Sequence, residues 1–227
     1  MKILAIETAT RVCSVALVDG EQIAGESLLY GRQKHSENLL ALIDALFDTT
    51  QLSPRSLDLI AVSVGPGSFT GLRVGISTAQ GLAFSLGIQM VPVATLEVIA
   101  QQACMHQGFI CPMIDARKQQ VYTCLYECSE TAELKKAAGE TVADPEKWAA
   151  GLPERVLFLG SGADLYREKI QAAQKGTGCF LPEYFGIPRA STLAHVARKS
   201  FELHGPCEIS RIAPLYIRQP DAVVHAG

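Results

Sequence analysis

No CxxC pair occurs among the seven cysteines (Cys13, Cys104, Cys111, Cys124, Cys128, Cys179 and Cys207), and their number is odd. Zinc-ribbon spacing and a closed disulfide framework are therefore both excluded, and the cysteines read as small core hydrophobes of a reduced protein. None of the five histidines (His35, His106, His195, His204 and His225) pairs with another at HxxxH spacing, so no helix face offers two imidazoles to a metal. His35-Ser36-Glu37 contains H-x-E, but no Pro-Cys-x-x-Cys follows, which excludes a zinc deaminase. A Gly-x-Ser-x-Gly elbow is missing too. The purified chain is expected to hold no stoichiometric zinc or iron. Excess basic charge is also lacking: 20 Lys and Arg stand against 23 Asp and Glu, a net charge of −3. Autonomous nucleic-acid binding usually leaves a basic footprint, and here there is none. Long apolar runs are scarce. Glu7 ends the first run after four residues, too short for a secretory h-region. Residues 74–96 carry no charge, but Ser77, Thr78, Gln80, Ser85, Gln89 and Pro92 interrupt them. They read as a buried helix, a turn and a short strand, so no membrane association is expected.

What is present is a core. Hydrophobic residues make up 48% of the 227 and charged residues 19%, which excludes intrinsic disorder. Residues 2–7 form an apolar strand. Residues 13–19 alternate, with Val15 and Leu17 on one face, and Asp19-Gly20 signals a hairpin into a strand over 22–29. A helix over 36–48 carries Leu39, Leu40, Leu42, Ile43, Leu46 and Phe47 across an arc of about 160°, wider than one core contact needs. Residues 57–64 are the near-continuous apolar run of a central strand. A glycine-rich loop and a helix to Leu86 follow, then a strand over 89–93 and a helix over 95–105.

The second half repeats this plan. The strand over 109–114 ends in Asp115 as the first strand ends in Glu7, and residues 121–127 form the next strand. Residues 156–159 run into Gly160-Ser161-Gly162 and a helix, as residues 60–64 run into Gly65-Pro66-Gly67-Ser68. A last helix over 192–203 precedes an irregular tail. The pattern implies a duplicated α/β lobe, with lobes at 1–107 and 108–227 and the last helix free to pack back on the first.

Three features carry candidate chemistry. In the loop, Gly65, Gly67, Ser68 and Thr70 could hold an anion at a helix start. The loop reads equally as a tight turn with Ser68 or Thr70 as N-cap. It is neither a Walker loop, since no Lys-Ser or Lys-Thr pair follows, nor a Rossmann fingerprint, since Thr70 stands at the third glycine. Gly71, Gly75, Ala79 and Ala83 recur every four residues and make one narrow face, suited either to the chain's own sheet or to a helix of another subunit. Glu7 and Asp115 end equivalent strands. They read as acids facing a cleft, or as carboxylates capping turn N–H groups. Arg32, Lys34 and Arg73 form either a small basic group beside the loop or a solvated surface.

Residues 1–17 (MKILAIETATRVCSVAL), 35–39 (HSENL) and above all 62–83 (VSVGPGSFTGLRVGISTAQGLA) resemble the bacterial TsaB (YeaZ) proteins. Residues 115–127 and the tail 213–218 also fit that family. The resemblance implies a duplicated actin-like/Hsp70-like/sugar-kinase (ASKHA, RNase H-like) fold. It implies a role in making threonylcarbamoyladenosine beside the anticodon of tRNAs that read codons starting with A. The related TsaD carries an HxxxH soon after the region matching 91–94. Here residues 93–99 (VATLEVI) hold no histidine, so the resemblance implies a paralogue without a catalytic residue or an activity of its own.

Its partners would be TsaD and the ATPase TsaE. ATP or ADP would enter only with that complex, tRNA would be bound only through it, and the place would be the cytoplasm. The expected partner seam is Leu39, Leu42, Ile43 and Leu46 on the first long helix with Phe69, Gly71, Arg73, Gly75, Ile76 and Ala79 on the second. The same seam would close a homodimer of the chain alone. The alternative is a small-molecule phosphotransferase of the same fold, which would need a phosphate turn beside Glu7. A glycoprotease lacks both a nucleophile triad and a zinc site.

Overall fold

The computed structural model describes residues 1–31 and 35–218. Its first sheet begins with the hairpin β1 (Lys2–Glu7) and β2 (Val12–Asp19) and returns through β3 (Gln22–Tyr30). Helix α1 (His35–Thr50) leads to β4 (Leu59–Gly65), helix α2 (Phe69–Leu86) and β5 (Gln89–Ala94). The sheet order is β3-β2-β1-β4-β5, antiparallel over the hairpins and parallel from β1 through β4 to β5. Helix α3 (Thr95–Gln101) follows; it stops short of the expected residue 105.

The second sheet comprises β6 (Gly108–Asp115), β7 (Val121–Cys128), β8 (Leu134–Ala143), β9 (Leu157–Leu159) and β10 (Cys179–Phe180). Read from β8, its order is β8-β7-β6-β9-β10, the same arrangement with the same strand directions. The duplication is thus carried by topology. Helices α4 (Pro145–Ala150), α5 (Ser161–Leu165) and α6 (Arg167–Ala173) lie between its strands, and α7 (Ala190–His204) follows them.

Four apolar layers hold these elements. One face of the first sheet packs Leu4, Ile6, Ile60 and Val62 against Leu39, Ile43 and Leu46 of α1 and Leu72, Ile76 and Ala79 of α2. The opposite face packs Ile3, Ala5, Ala61 and Val91 against Leu193, Ala194 and Ala197 of α7. The last helix therefore crosses back to the first sheet. Strand β2 is covered on both faces: Cys13, Val15 and Leu17 join the first layer, Ala16 and Val18 the second. Val15 and Leu17 share one face as the alternation predicts, and α7 covers the other face, a cover that no local pattern announces.

Helix α3 turns Leu96, Ile99 and Ala100 toward the second sheet and Val98 toward the first. The far face of the second sheet packs Cys111, Met113 and Phe158 against Ala149, Ala163 and Ile170. Among the described residues, no helix is long and apolar enough to cross a membrane.

Candidate functional site

Strand β1 delivers Glu7 to the sheet end, and the turn after it decides what Glu7 can do. The carboxyl is fully buried; Oε1 accepts the Ala9 N–H at 2.7 Å, and Oε2 has no hydrogen-bond partner. Burial pushes its pKa up from 4.5 to about 7, against the smaller pull of the Ala9 N–H and the Ser63 hydroxyl. Asp115 repeats the capping half of this geometry, its Oδ1 accepting the Arg117 N–H at 2.9 Å. Both acids cap their own turns. Asp115 lines the cleft between the lobes; Glu7 does not, which corrects its placement as a cleft acid.

The glycine-rich loop closes down on the same turn. Ser68 N–H donates to the Ala9 carbonyl at 2.6 Å, and a Cβ at Gly67 would stand 2.0 Å from that oxygen. Ser68 is the N-cap of α2, its Oγ accepting the Gly71 N–H at 3.2 Å. The loop's approach to Ala9 fills the side of Gly67 that faces the β1 turn. Gly67 and Ser68 border the cleft, whereas Gly65 is buried and Thr70 faces solvent away from it. The anion-cradle reading is therefore not met by these four residues.

The small-residue face of α2 is used up in the same way. A Cβ at Gly71 would lie 2.2 Å from the Thr8 carbonyl oxygen, and one at Gly75 2.2 Å from Thr8 Oγ1. Thr8 Oγ1 in turn donates to the Gly71 carbonyl at 2.8 Å. Ala79 and Ala83 are fully buried under the sheet. Leu39, Ile43, Leu46 and Ile76 also belong to the chain's own core. As surface contacts these residues are corrected: α1 sits in the angle between β2, β3 and α2, and this wide seat absorbs its broad apolar arc. Of the expected seam, Leu42 is half-buried while Phe69 and Arg73 are exposed. The large exposed apolar side chains of these helices are Leu40, Phe69 and Phe84, with the exposed Ser77 and Gly81 between the last two on α2 and Ser85 just after them.

The cleft has a volume of about 700 Å³. Arg11 and Ser68 reach it from the first lobe, and Asp115, Arg117, Ser161 and Asp164 from the second. Arg117 Nη1 lies 3.4 Å from Asp115 Oδ2, and the Asp115 N–H donates to Ser161 Oγ at 3.2 Å. Arg117, Lys118 and Gln119 have φ of 62°, 50° and 57°, a left-handed turn without a glycine. Such a conformation costs roughly 1–2 kcal/mol per residue, so other contacts must hold it. Arg218 supplies two of them: Nη1 donates to the Ala116 carbonyl at 3.0 Å and Nη2 to Gln120 Oε1.

The tail also packs on α2. Tyr216 stacks on Phe69 with centroids 5.2 Å apart, and the Arg73 guanidinium lies 3.8 Å over the Phe69 ring. Residues 213–218 carry a family resemblance in sequence, but no local pattern brings Tyr216 to Phe69 or Arg218 to Ala116. Arg32 and Lys34 of the expected basic group lie outside the described residues. No three His, Cys, Asp or Glu side chains converge among the described residues. Cys111 is a core residue that accepts the Trp148 indole N–H at 3.4 Å, with burial pushing its thiol up to about 11.

The family model for TsaD, tRNA N6-adenosine threonylcarbamoyltransferase, matches residues 30–226. Two proteins named tRNA threonylcarbamoyladenosine biosynthesis protein TsaB align along nearly the whole chain. The one from Bacillus subtilis is 31% identical, over 98% of this chain and 96% of its own length. The one from Escherichia coli is 37% identical, over 96% and 95%. YeaZ from Pseudomonas aeruginosa superposes with a TM-score of 0.83 at 28% identity, covering 95% of this chain and 99% of that one. A ROK hexokinase from Thermus thermophilus matches with a TM-score of 0.51 at 10% identity, covering 88% and 100%, which shows the fold alone.

Proposed function

The chain belongs to the TsaB (YeaZ) family of tRNA threonylcarbamoyladenosine biosynthesis proteins, and from that premise we propose that it is the non-catalytic partner of a TsaD-type transferase in this tRNA modification. The observation that carries the reading is the closed β1 turn. Gly67, Gly71 and Gly75 rest on Thr8 and Ala9, and Glu7 is buried against the Ala9 N–H. A phosphotransferase of this fold would need that turn open to a phosphate and an acid facing it. The closed turn favours the partner role over that alternative. Adenine nucleotide, TsaE and tRNA then belong to the assembled complex in the cytoplasm, and the chain alone binds tRNA weakly, because a net charge of −3 releases few counterions.

The partner surface is the outer side of α1 and α2. Leu40, Phe69, Arg73 and Phe84 are its large exposed groups, and a Cβ at Gly81 would meet nothing within 4 Å. Gly81 thus takes the place first given to Gly75. Without TsaD the same surface pairs two copies about a twofold axis. Mixing the purified chain with TsaD and weighing the complex by native mass spectrometry should give a heterodimer. Gly81→Leu should leave the circular dichroism spectrum intact and weaken the heterodimer by about tenfold or more, the scale of an overpacked contact. No heterodimer with the unaltered chain would refute the partner role. Unchanged affinity in both Gly81→Leu and Phe84→Ala would refute only this surface. Phosphorylation of sugars or acetate from ATP by the chain alone would restore the phosphotransferase.

A further inference from the structure

The chain after α7 does not simply trail away. Cys207 N–H bonds to the Met90 carbonyl at 3.3 Å, and Gln80 Nε2 donates to the carbonyls of Ile209 and Ile212 at 3.1 and 3.0 Å. Ile212 is buried in the layer under α2. The Leu215 N–H then bonds to the Val64 carbonyl, at the end of β4, at 2.7 Å. Tyr216 is held by Phe69 and by Arg73, whose Nε donates to the Tyr216 hydroxyl oxygen at 3.2 Å. To this point every anchor belongs to the first lobe. Arg218 makes the crossing, with its two contacts on the 116–120 turn of the second lobe.

The crossing is short. Two residues, Tyr216 and Ile217, lie between the Leu215 anchor and Arg218, and a fully extended chain covers at most about 3.6 Å per residue. The turn at the far end is the strained left-handed one, and it carries Arg117 into the cleft opposite Arg11. Two backbone bonds, Ala116 N–H to the Gln120 carbonyl at 2.9 Å and Gln120 N–H to the Arg117 carbonyl at 3.0 Å, close that turn.

We propose that residues 207–218 form a strap that ties the first turn of α2 to the interlobe cleft, with Arg218 as the positioning residue for the Arg117 turn. A change at Phe69, Arg73 or Tyr216 is then felt at Arg117 on the other lobe, because so little chain lies between the two sets of anchors. The proposal concerns the chain by itself and stands whether or not TsaD binds it.

Hydrogen–deuterium exchange of the full chain, read on peptides covering 115–121, tests it. Arg218→Ala should speed exchange of the Ala116 and Gln120 amides by about tenfold, the scale of one or two lost hydrogen bonds, and leave β1 and β4 protected. Tyr216→Ala touches only first-lobe partners, yet should speed the same amides. In the double variant the two effects should not add, since one strap is already cut. If Arg218→Ala destabilises the whole chain, Arg218→Lys, which retains a single donor group, should give an intermediate rate. The strap is overturned if Tyr216→Ala leaves the 116–120 amides unchanged, or if the two effects add in full.

Discussion

At the scale of single residues, the tightest contacts are those of Thr8 with the two glycines above it. Gly71→Ala or Gly75→Ala would drive a methyl group to 2.2 Å from a Thr8 oxygen. Each is expected to destabilise the chain by about 1–3 kcal/mol. Gly81 sits in the same helix with open space around its Cβ position, so Gly81→Ala should stabilise it by up to about 1 kcal/mol. Thermal melts of the variants side by side check this, and equal effects at Gly75 and Gly81 would contradict it. Glu7 makes a second prediction. Its folded pKa is raised from 4.5 to about 7, so ionising it costs the folded state. Below about pH 4.5 the group contributes no penalty, and stability then falls by about 3 kcal/mol as pH rises through about 7. Glu7→Gln should flatten that fall. Urea midpoints of both chains across that range measure it, and parallel pH profiles would show that Glu7 is not neutral in the fold.

At the scale of elements, α2 and α7 hold the first sheet from opposite sides. Ser68→Ala removes the α2 cap while sparing the Ser68 N–H bond to Ala9, and should cost about 1 kcal/mol. Leu193 of α7 is fully buried against the sheet, so Leu193→Ala should cost about 2–5 kcal/mol. Denaturant titration ranks the two, and the reverse order would mean that α7 is only loosely attached. Most of these elements were legible beforehand. Apolar periodicity marks β1, α1, β4 and α2, and Asp19-Gly20 marks the β2–β3 hairpin. Strand β8 is not legible in the sequence, because Lys135, Lys136, Gly139 and Glu140 give this edge strand neither alternation nor β propensity.

At the scale of the whole molecule, the two lobes are not independent. Helix α7, from the end of the chain, covers the first sheet, and α3 lends most of its apolar face to the second. A chain cut after Gln107 would expose Ile3, Ala5, Ala61 and Val91 to water. It should aggregate or stay unfolded when expressed alone, as judged by size-exclusion chromatography and circular dichroism. A stable, monomeric folded fragment would show that α7 is dispensable for the first sheet.

By itself the sequence determined the repeated strand–acid–turn plan, the helix start after the glycine-rich loop and the family resemblance, because all of these reside in residue order and local periodicity. Only the tertiary structure decided which way each apolar face points. The stripe Gly71-Gly75-Ala79 is equally fit for a sheet or for a partner until Thr8 is seen standing against it. Glu7 and Asp115 end matching strands, yet one is sealed under the loop and the other borders the cleft. The reason is physical: periodicity records that a face must be buried, while the identity of its cover depends on contacts between residues far apart in the chain.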